Sequence, residues 1–571
     1  LVSPDGSRLE VDDEIRAAAR ALADGKIVAL KGIGGFHLAC DARSEAAVGR
    51  LRERKRRDQK PFAVMVADLA QAEALAALSE AERRLLGSVE RPIVLVRRRV
   101  PSPLAAGVAP DNPLVGLLLA YSPLHHLLLD EVGAPLVMTS GNLSEEPLAW
   151  RNDEALERLG GIADLLLVHD REIEAPCDDS VARVIAGVPT LLRRARGHVP
   201  RALPVGRRFA RPVLACGAQL KNTFCVGSGD EAQLGPHVGD LENLATEDAY
   251  RAAIERQLRF LRVQPELIAH DLHPDYPSTR YALERPEPLK IGVQHHHAHL
   301  AALLAEHGLP GPVLGVAYDG TGFGTDGTLW GGEILLASLD GYERVATFRS
   351  LPLAGGERAI RDVWRTALAL LDDAYAGDPP LARLPLFDSV APHEIVVVRR
   401  MLEEGVNCPR ARGVGRYFDA FGALGLGRGR SAHEGQVALL WNLAADPCET
   451  GLYGFGLDTQ AAPWEIDLRP AVRGAVDDLV AGRGAALVSA RFHRTLAAAT
   501  AEALRLAAER LGRLPVGLSG GCFQNPLLVE LVLEALGTDF VVLRHRQVPP
   551  GDGGIALGQA VVADAMARKS L

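Results

Sequence analysis

Cysteine is scarce and unpaired in this sequence. The seven residues (Cys40, Cys177, Cys216, Cys225, Cys408, Cys448 and Cys522) are an odd number, widely scattered, with no C-x-x-C pair among them. That pattern excludes a disulfide framework and a structural zinc ribbon, and leaves most of the thiols to act as small buried apolar groups. Long apolar runs are missing too: none reaches the roughly 18–20 residues needed to cross a bilayer. The opening stretch, LVSPDGSRLEVDDEI, has neither the basic nor the apolar part of a signal peptide. The expectation is a cytoplasmic protein with no membrane partner. Nor is there an excess of positive charge, since 63 Lys and Arg stand against 72 Asp and Glu for a net charge of −9. With no cluster of basic and aromatic residues to form a groove, no nucleic-acid partner is expected.

What remains is a chain of 571 residues, 47% of them apolar, enough for three or four domain-sized units. VDDEIRAAARALADGK reads as a helix with an acidic first turn leading into the β-rich IVALKGIGGFHLACDA, and helices alternate with short strands to about Val199. The Arg- and Pro-rich stretch 196–212 has no periodicity and reads as a connection between units. VLACGAQLKNTFCVG then gives strand, turn and strand, and the plan returns at residues 313–337. Such a pair predicts a duplicated α/β domain of the sugar-kinase, actin and Hsp70 type. A third apolar strand with a Gly turn, LPVGLSGGCFQNPLL, fits its second lobe.

Four of the five residues 295–299 are histidine. On a helix, His295 and His299 lie about one turn apart and share a face, whereas His296 and His297 point elsewhere. Two imidazoles do not complete a metal site, so carboxylates are needed from elsewhere. Asp319 in YDGTGFG and Asp552 in PPGDGG are the candidates, each expected in a glycine-rich turn after a strand. GLSGGCFQN, residues 517–525, has the G-x-S-x-G pattern of a nucleophile elbow, with Ser519 as nucleophile and His545 as base. Against that reading, Gly520 and Gly521 remove side chains where a nucleotide could lie, and Asn525 is placed to hydrogen-bond it. In the first unit a Gly-rich turn (KGIGGF), a basic run (LRERKRRDQKPFAVM), small hydroxyls (TSGNLSEEP) and RRARG together suit an anionic, phosphorylated ligand.

In their order along the chain, KGIGGFHLACDA, RKRRDQKPFAVM, TSGNLSEEP, VQHHHAHLAAL, YDGTGFGTDG with WGGE, HEGQ, SGGCFQN and PPGDGGIALGQ closely resemble the HypF carbamoyltransferase family of NiFe-hydrogenase maturation. The likeness spans essentially the whole chain. It implies an α/β protein with a YrdC-like domain over residues 1–200, a linker at 201–211, and a two-lobed actin/Hsp70-like, TsaD-like domain over 212–571. It further implies that ATP, with Mg2+, activates the carbamoyl group of carbamoyl phosphate as carbamoyl-adenylate, and that the group passes to the C-terminal cysteine of the partner HypE to become a cyanide ligand. Carried over residue by residue, Lys55, Arg57 and Lys60 fall on the basic motif that holds phosphates and acyl group. Ser140 and Asn142 fall on the nucleotide motif, and Arg196 on the closing arginine motif. His295, His299, Asp319 and Asp552 fall on the positions for one divalent metal, zinc or iron, while Gly520, Gly521 and Asn525 fall on the nucleotide loop. Lys221 falls where phosphate or carbamoyl oxygens are contacted.

The family usually opens with an acylphosphatase domain and a Cys-rich zinc-finger region, neither of which is in this sequence. The expectation is that this chain works with carbamate where it fails with carbamoyl phosphate. Two relatives of the reaction are the alternatives: an antibiotic O-carbamoyltransferase, in which the TsaD-like domain comes first, and threonylcarbamoyl transfer to tRNA, which the absent basic surface disfavours. From other classes come an Hsp70-like nucleotide switch, which would need no YrdC-like domain, and a serine hydrolase acting through Ser519.

Overall fold

Strand Phe36–Asp41 lies between Val28–Lys31 and Leu136–Ser140, third from one edge of a nine-stranded sheet. The computed structural model describes residues 1–57, 59–144 and 146–569, so Asp58 of the basic motif and Glu145 of TSGNLSEEP lie outside the described residues. VALK is buried at all four positions, the pattern of a strand covered on both faces. Ser44 caps helix Glu45–Lys55 by accepting from the N–H of Ala47, and Arg56 ends it in the left-handed region at φ 53. The last residue of this helix is Lys55 of the basic motif, whose Nζ reaches the carbonyl of Ser140 at the end of the interior strand Leu136–Ser140.

Two further sheets share one plan. In the six-stranded sheet, Val213–Ala215, Cys225–Ser228 and Glu231–Leu234 run antiparallel, and Leu267–Asp271 and Leu289–Val293 add on parallel to the first of them. In the other, Val313–Phe323, Leu329–Ser338 and Gly341–Phe348 run antiparallel, and Val516–Ser519 and Val542–Arg544 add on parallel in the same way. This is the duplication read from the recurring strand-turn-strand units. Helix His295–Glu306 packs on the second of these sheets and helix Ile555–Lys569 on the first, and the two helices pack against each other between them. Gly558 makes that contact close, since a Cβ there would lie 1.8 Å from the carbonyl oxygen of Ala298.

Two expectations change. The stretch 196–212 is not a bare connection: Leu203–Pro204 pairs with Glu231–Leu234 as an edge strand, and Leu203, Val205 and Phe209 enter the core of the second unit. Prolines tolerate an edge position because no ladder hydrogen bond is asked of them there. Asp319 sits inside strand Val313–Phe323 rather than in a turn, within an irregularity of the pairing between Tyr318 and Gly322. Among the described residues no helix is long and apolar enough to cross a membrane.

Candidate functional site

In the first unit Lys55 is fully buried, and its Nζ donates to Ser140 O (2.7 Å), Asn142 O (2.5 Å) and Asn142 Oδ1 (2.7 Å). Three acceptors match the three donors of an ammonium. Burial first, and the neighbouring Arg57 second, pull its pKa down to about 7. Ser140 Oγ donates to the same Asn142 Oδ1 at 2.7 Å. Lys55, Ser140 and Asn142 thus form one hydrogen-bonded group. Arg57 donates to the carbonyls of Lys60 (3.2 Å) and Pro61 (2.9 Å), and burial lowers its pKa to about 10. The side chain of Lys60 is exposed.

Arg196 stands apart from that group. It donates to Asp179 (2.7 Å) and to the carbonyls of Glu90 (3.1 Å) and Arg91 (2.8 Å), and its guanidinium lies 3.4 Å above the Tyr121 ring. Its donors go to protein groups, and the other oxygen of Asp179 faces His37 Nε2 at 3.1 Å. His37 in turn is the register partner of Ser140. Asp179 and His37 therefore connect Arg196 to the Ser140 strand, a link that sequence reasoning missed because Asp179 looks like an ordinary loop aspartate.

In the second unit the ligating atoms of His295, His299, Asp319 and Asp552 all lie within 4.8 Å of one another. Gln294 caps the histidine helix, accepting from the N–H groups of His296 and His297, which leaves the rings of His295 and His299 on one face with centroids 5.0 Å apart. His299 Nε2 is 2.9 Å from Asp319 Oδ2, and Asp552 Oδ1 is 3.9 Å from both imidazoles. His295 Nε2 is buried without a hydrogen-bond partner, and it faces Asp319 and Asp552, each at 3.9 Å. An orphaned imidazole nitrogen aimed at two carboxylates fits a divalent cation, with two nitrogen and two oxygen donors as zinc or iron accepts.

The electrostatics agree. Burial, with the charge of Asp319 next, pushes Asp552 up to about 7. Burial also acts to raise Asp319, but the imidazoles of His295 and His299, the latter at hydrogen-bonding distance, outweigh it and hold this carboxyl well below its usual range. Burial opposes the charged form of His295, yet Asp271 outweighs it and raises the pKa well above the usual imidazole value. Asp271, fully buried at the end of its strand, holds His295 Nδ1 at 2.8 Å, the outer partner that fixes which nitrogen faces the centre. Its one signal in the sequence is an aspartate closing an apolar strand.

The glycine loop crosses directly over this cluster. Gly520 has φ 99, and a Cβ there would lie 2.2 Å from Tyr318 O; at Gly521 it would lie 3.0 Å from Asp319 Oδ1. Asn525 caps helix Pro526–Leu536, accepting from the N–H of Leu528, and its Nδ2 lies 3.0 Å from His493. Lys221, at φ 46, lies 3.0 Å from Glu434. Burial lowers the Lys221 pKa, but Glu434 and Asp552 outweigh it and leave the ammonium raised. Glu434 belongs to HEGQ, where Gln436 Nε2 donates to Gln59 Oε1 of the first unit's basic motif. Segment 433–436 thus touches both candidate sites.

Three family models match the chain: a YrdC-type model described as Telomere recombination over residues 20–195, HypF Kae1-like domain over 208–306, and Carbamoyltransferase, Kae1-like Domain, second subdomain, over 315–559. Carbamoyltransferase HypF2 of Cupriavidus necator is 43% identical, the match covering 99% of this chain and 74% of that protein. A crystal structure of full-length HypF in a phosphate- and nucleotide-bound form aligns with a TM-score of 0.94 at 41% identity, over 98% of this chain and 73% of the other. The crystal structure of HypF from T. kodakarensis gives 0.93 at 31% identity, over 100% and 75%.

Proposed function

The chain belongs to the HypF carbamoyltransferase family, and from that premise we propose that it joins carbamate to AMP in its first unit and passes the carbamoyl group to a thiol in its second. A carbamate oxygen attacks the α-phosphorus of Mg2+-bound ATP and pyrophosphate leaves. Lys55, Arg57 and Lys60 offset the charge that builds on the phosphates. Ser140 and Asn142 hold the nucleotide, and Arg196 fixes the wall behind them through Asp179. In the second unit the thiolate of the C-terminal cysteine of HypE attacks the carbamoyl carbon, and AMP leaves across the loop of Gly520, Gly521 and Asn525. The product is the thiocarbamate from which the cyanide ligands of the hydrogenase are made. Lys221 contacts the carbamoyl or phosphate oxygens. A zinc or iron ion held by His295, His299, Asp319 and Asp552 would act as a Lewis acid toward those oxygens. The proposed setting is the cytoplasm, which supplies ATP and keeps the acceptor thiol reduced.

One observation carries this reading. The segment that hydrogen-bonds Gln59 beside the basic motif also holds Lys221 beside the metal-binding quartet. An activated intermediate that water would destroy is best served by two facing sites and a short enclosed passage. The test is release of AMP and pyrophosphate from ATP with carbamoyl phosphate, carbamate from ammonium bicarbonate, or threonine with bicarbonate. Turnover with carbamate supports the proposal, whereas turnover with threonine alone replaces it with the tRNA-modification reaction. Lys60→Ala is expected to abolish pyrophosphate release and leave bound metal unchanged. The double variant His295→Ala, His299→Ala is expected to keep pyrophosphate release and lose transfer to HypE.

A further inference from the structure

A buried hydrogen-bonded chain that the reaction does not use runs beside the histidine helix. Glu306 Oε2 lies 2.8 Å from His545 Nδ1, and His545 Nε2 lies 2.9 Å from Ser519 Oγ. The order is that of a Ser-His-acid triad, on the G-x-S-x-G residues. The serine is not presented as an attacking group, however. It is fully buried, its Oγ donates to the carbonyl of His299 at 3.0 Å, and the carbonyl of Pro550 lies 3.4 Å away. Two carbonyls that can only accept compete with the imidazole for one hydroxyl proton.

The same contacts have a mechanical consequence. Glu306 and His299 are about two turns apart on one helix. Glu306 Oε1 also accepts from the N–H groups of Arg546 (2.9 Å) and Gln547 (2.5 Å). Segment 545–550 is therefore fastened to the histidine helix at its far end through Glu306 and at its metal-facing end through Ser519, and Asp552 follows directly. Ser519 is also the register neighbour of Ala317, on the strand that carries Asp319. From the outside, the first unit holds the same segment: Leu191 N donates to Arg546 O at 3.1 Å and Arg194 Nη1 to Gln547 O at 3.2 Å.

We propose that Glu306, His545 and Ser519 are positioning residues that set the spacing of His299 and Asp552, and with it the affinity of the quartet for its metal ion. The proposal rests on the metal reading above. Its test is zinc affinity of the full chain, measured by competition with a chromophoric chelator, and the visible spectrum of the cobalt-substituted protein. Wild type is compared with Ser519→Ala, Glu306→Gln and His299→Ala. The first two are expected to weaken zinc binding by about 10–100-fold and to shift the cobalt bands, with the far-ultraviolet dichroism retained. Glu306→Gln keeps the side chain's shape and serves where Ser519→Ala fails to fold. Wild-type affinity and spectrum in both, with zinc lost in His299→Ala, would overturn the positioning role and leave the metal reading standing. Unchanged affinity in His299→Ala would overturn both, and labelling of Ser519 by a fluorophosphonate would make it a nucleophile instead.

Discussion

Asp179 carries more of the first site than its surroundings in the sequence indicate. Burial alone would raise its pKa, but His37 and Arg196 outweigh that and hold it well below the unfolded value of 3.8. A carboxyl depressed in the folded state stabilises the fold at every pH above the unfolded value, and that contribution is lost as the pH falls through the folded one. Asp179→Asn is therefore expected to destabilise the protein by about 3 kcal/mol at pH 7, with the gap to wild type narrowing once the pH drops below about 4. Thermal or urea transitions at pH 7 and pH 3.5 measure this, and a gap that stays constant would contradict it. At the second site Asp271 has the matching role, and Asp271→Asn is expected to weaken zinc binding by about 10–100-fold in a chelator competition, with no effect on pyrophosphate release. The contrast between these residues shows what one sequence makes legible. His295 and His299 can be read from helical spacing alone, because their relation is local. Asp271 and Asp179 act on partners 24 and 142 residues away, and only the sheet order brings them there. Arg196 was legible as a cation near an anion site, but the aspartate that takes up its donors was not.

Glycine explains where element-level reading succeeded and where it failed. YDGTGFG reads as a turn because glycines punctuate turns, yet here they let elements pass close to one another. A Cβ at Gly331 would lie 2.9 Å from Asp319 O, and one at Gly413 would lie 1.8 Å from Gly320 O. The strand bearing Asp319 is thus pinned between its neighbour and the start of helix Val414–Leu426. The contact of Gly558 with Ala298 works in the same way between helices. A methyl group at Gly558 has no room, and interiors packed to crystal density respond by moving. Gly558→Ala is expected to displace the histidine helix, costing about 1–3 kcal/mol and lowering zinc affinity, although it touches no ligand. Paired measurement of the thermal midpoint and zinc affinity checks both consequences. Loss of stability with unchanged zinc binding would show that the helix moves without carrying His295 and His299 with it. Stretch 196–212 differs in a related way: it lacks periodicity, and the short edge strand Leu203–Pro204 needs none.

At the scale of the molecule, the duplicated plan could be read from the recurring strand-turn-strand units, since each repeat folds from contiguous sequence. The approach of the two sites could not, because it depends on long-range pairs. Arg428 lies 3.8 Å from Asp111, Arg544 donates to Ile185 O at 3.2 Å, and Gln436 reaches Gln59. HEGQ was visible as a motif, but nothing local says that one of its residues meets the first unit and another meets Lys221. If this segment closes the route between the sites, breaking its hold should affect coupling more than either chemical step. Gln436→Ala removes the bond to Gln59 and leaves the basic motif and the metal quartet intact. Pyrophosphate release with carbamate is then expected to stay within about twofold of wild type, a change under roughly 0.5 kcal/mol in barrier. The number of carbamoyl groups delivered to HypE per AMP formed should fall, as intermediate escapes and hydrolyses. Counting both products in one reaction separates the possibilities: an unchanged ratio would mean that the passage is closed by other contacts, and a parallel fall in both would mean that Gln436 serves adenylation itself.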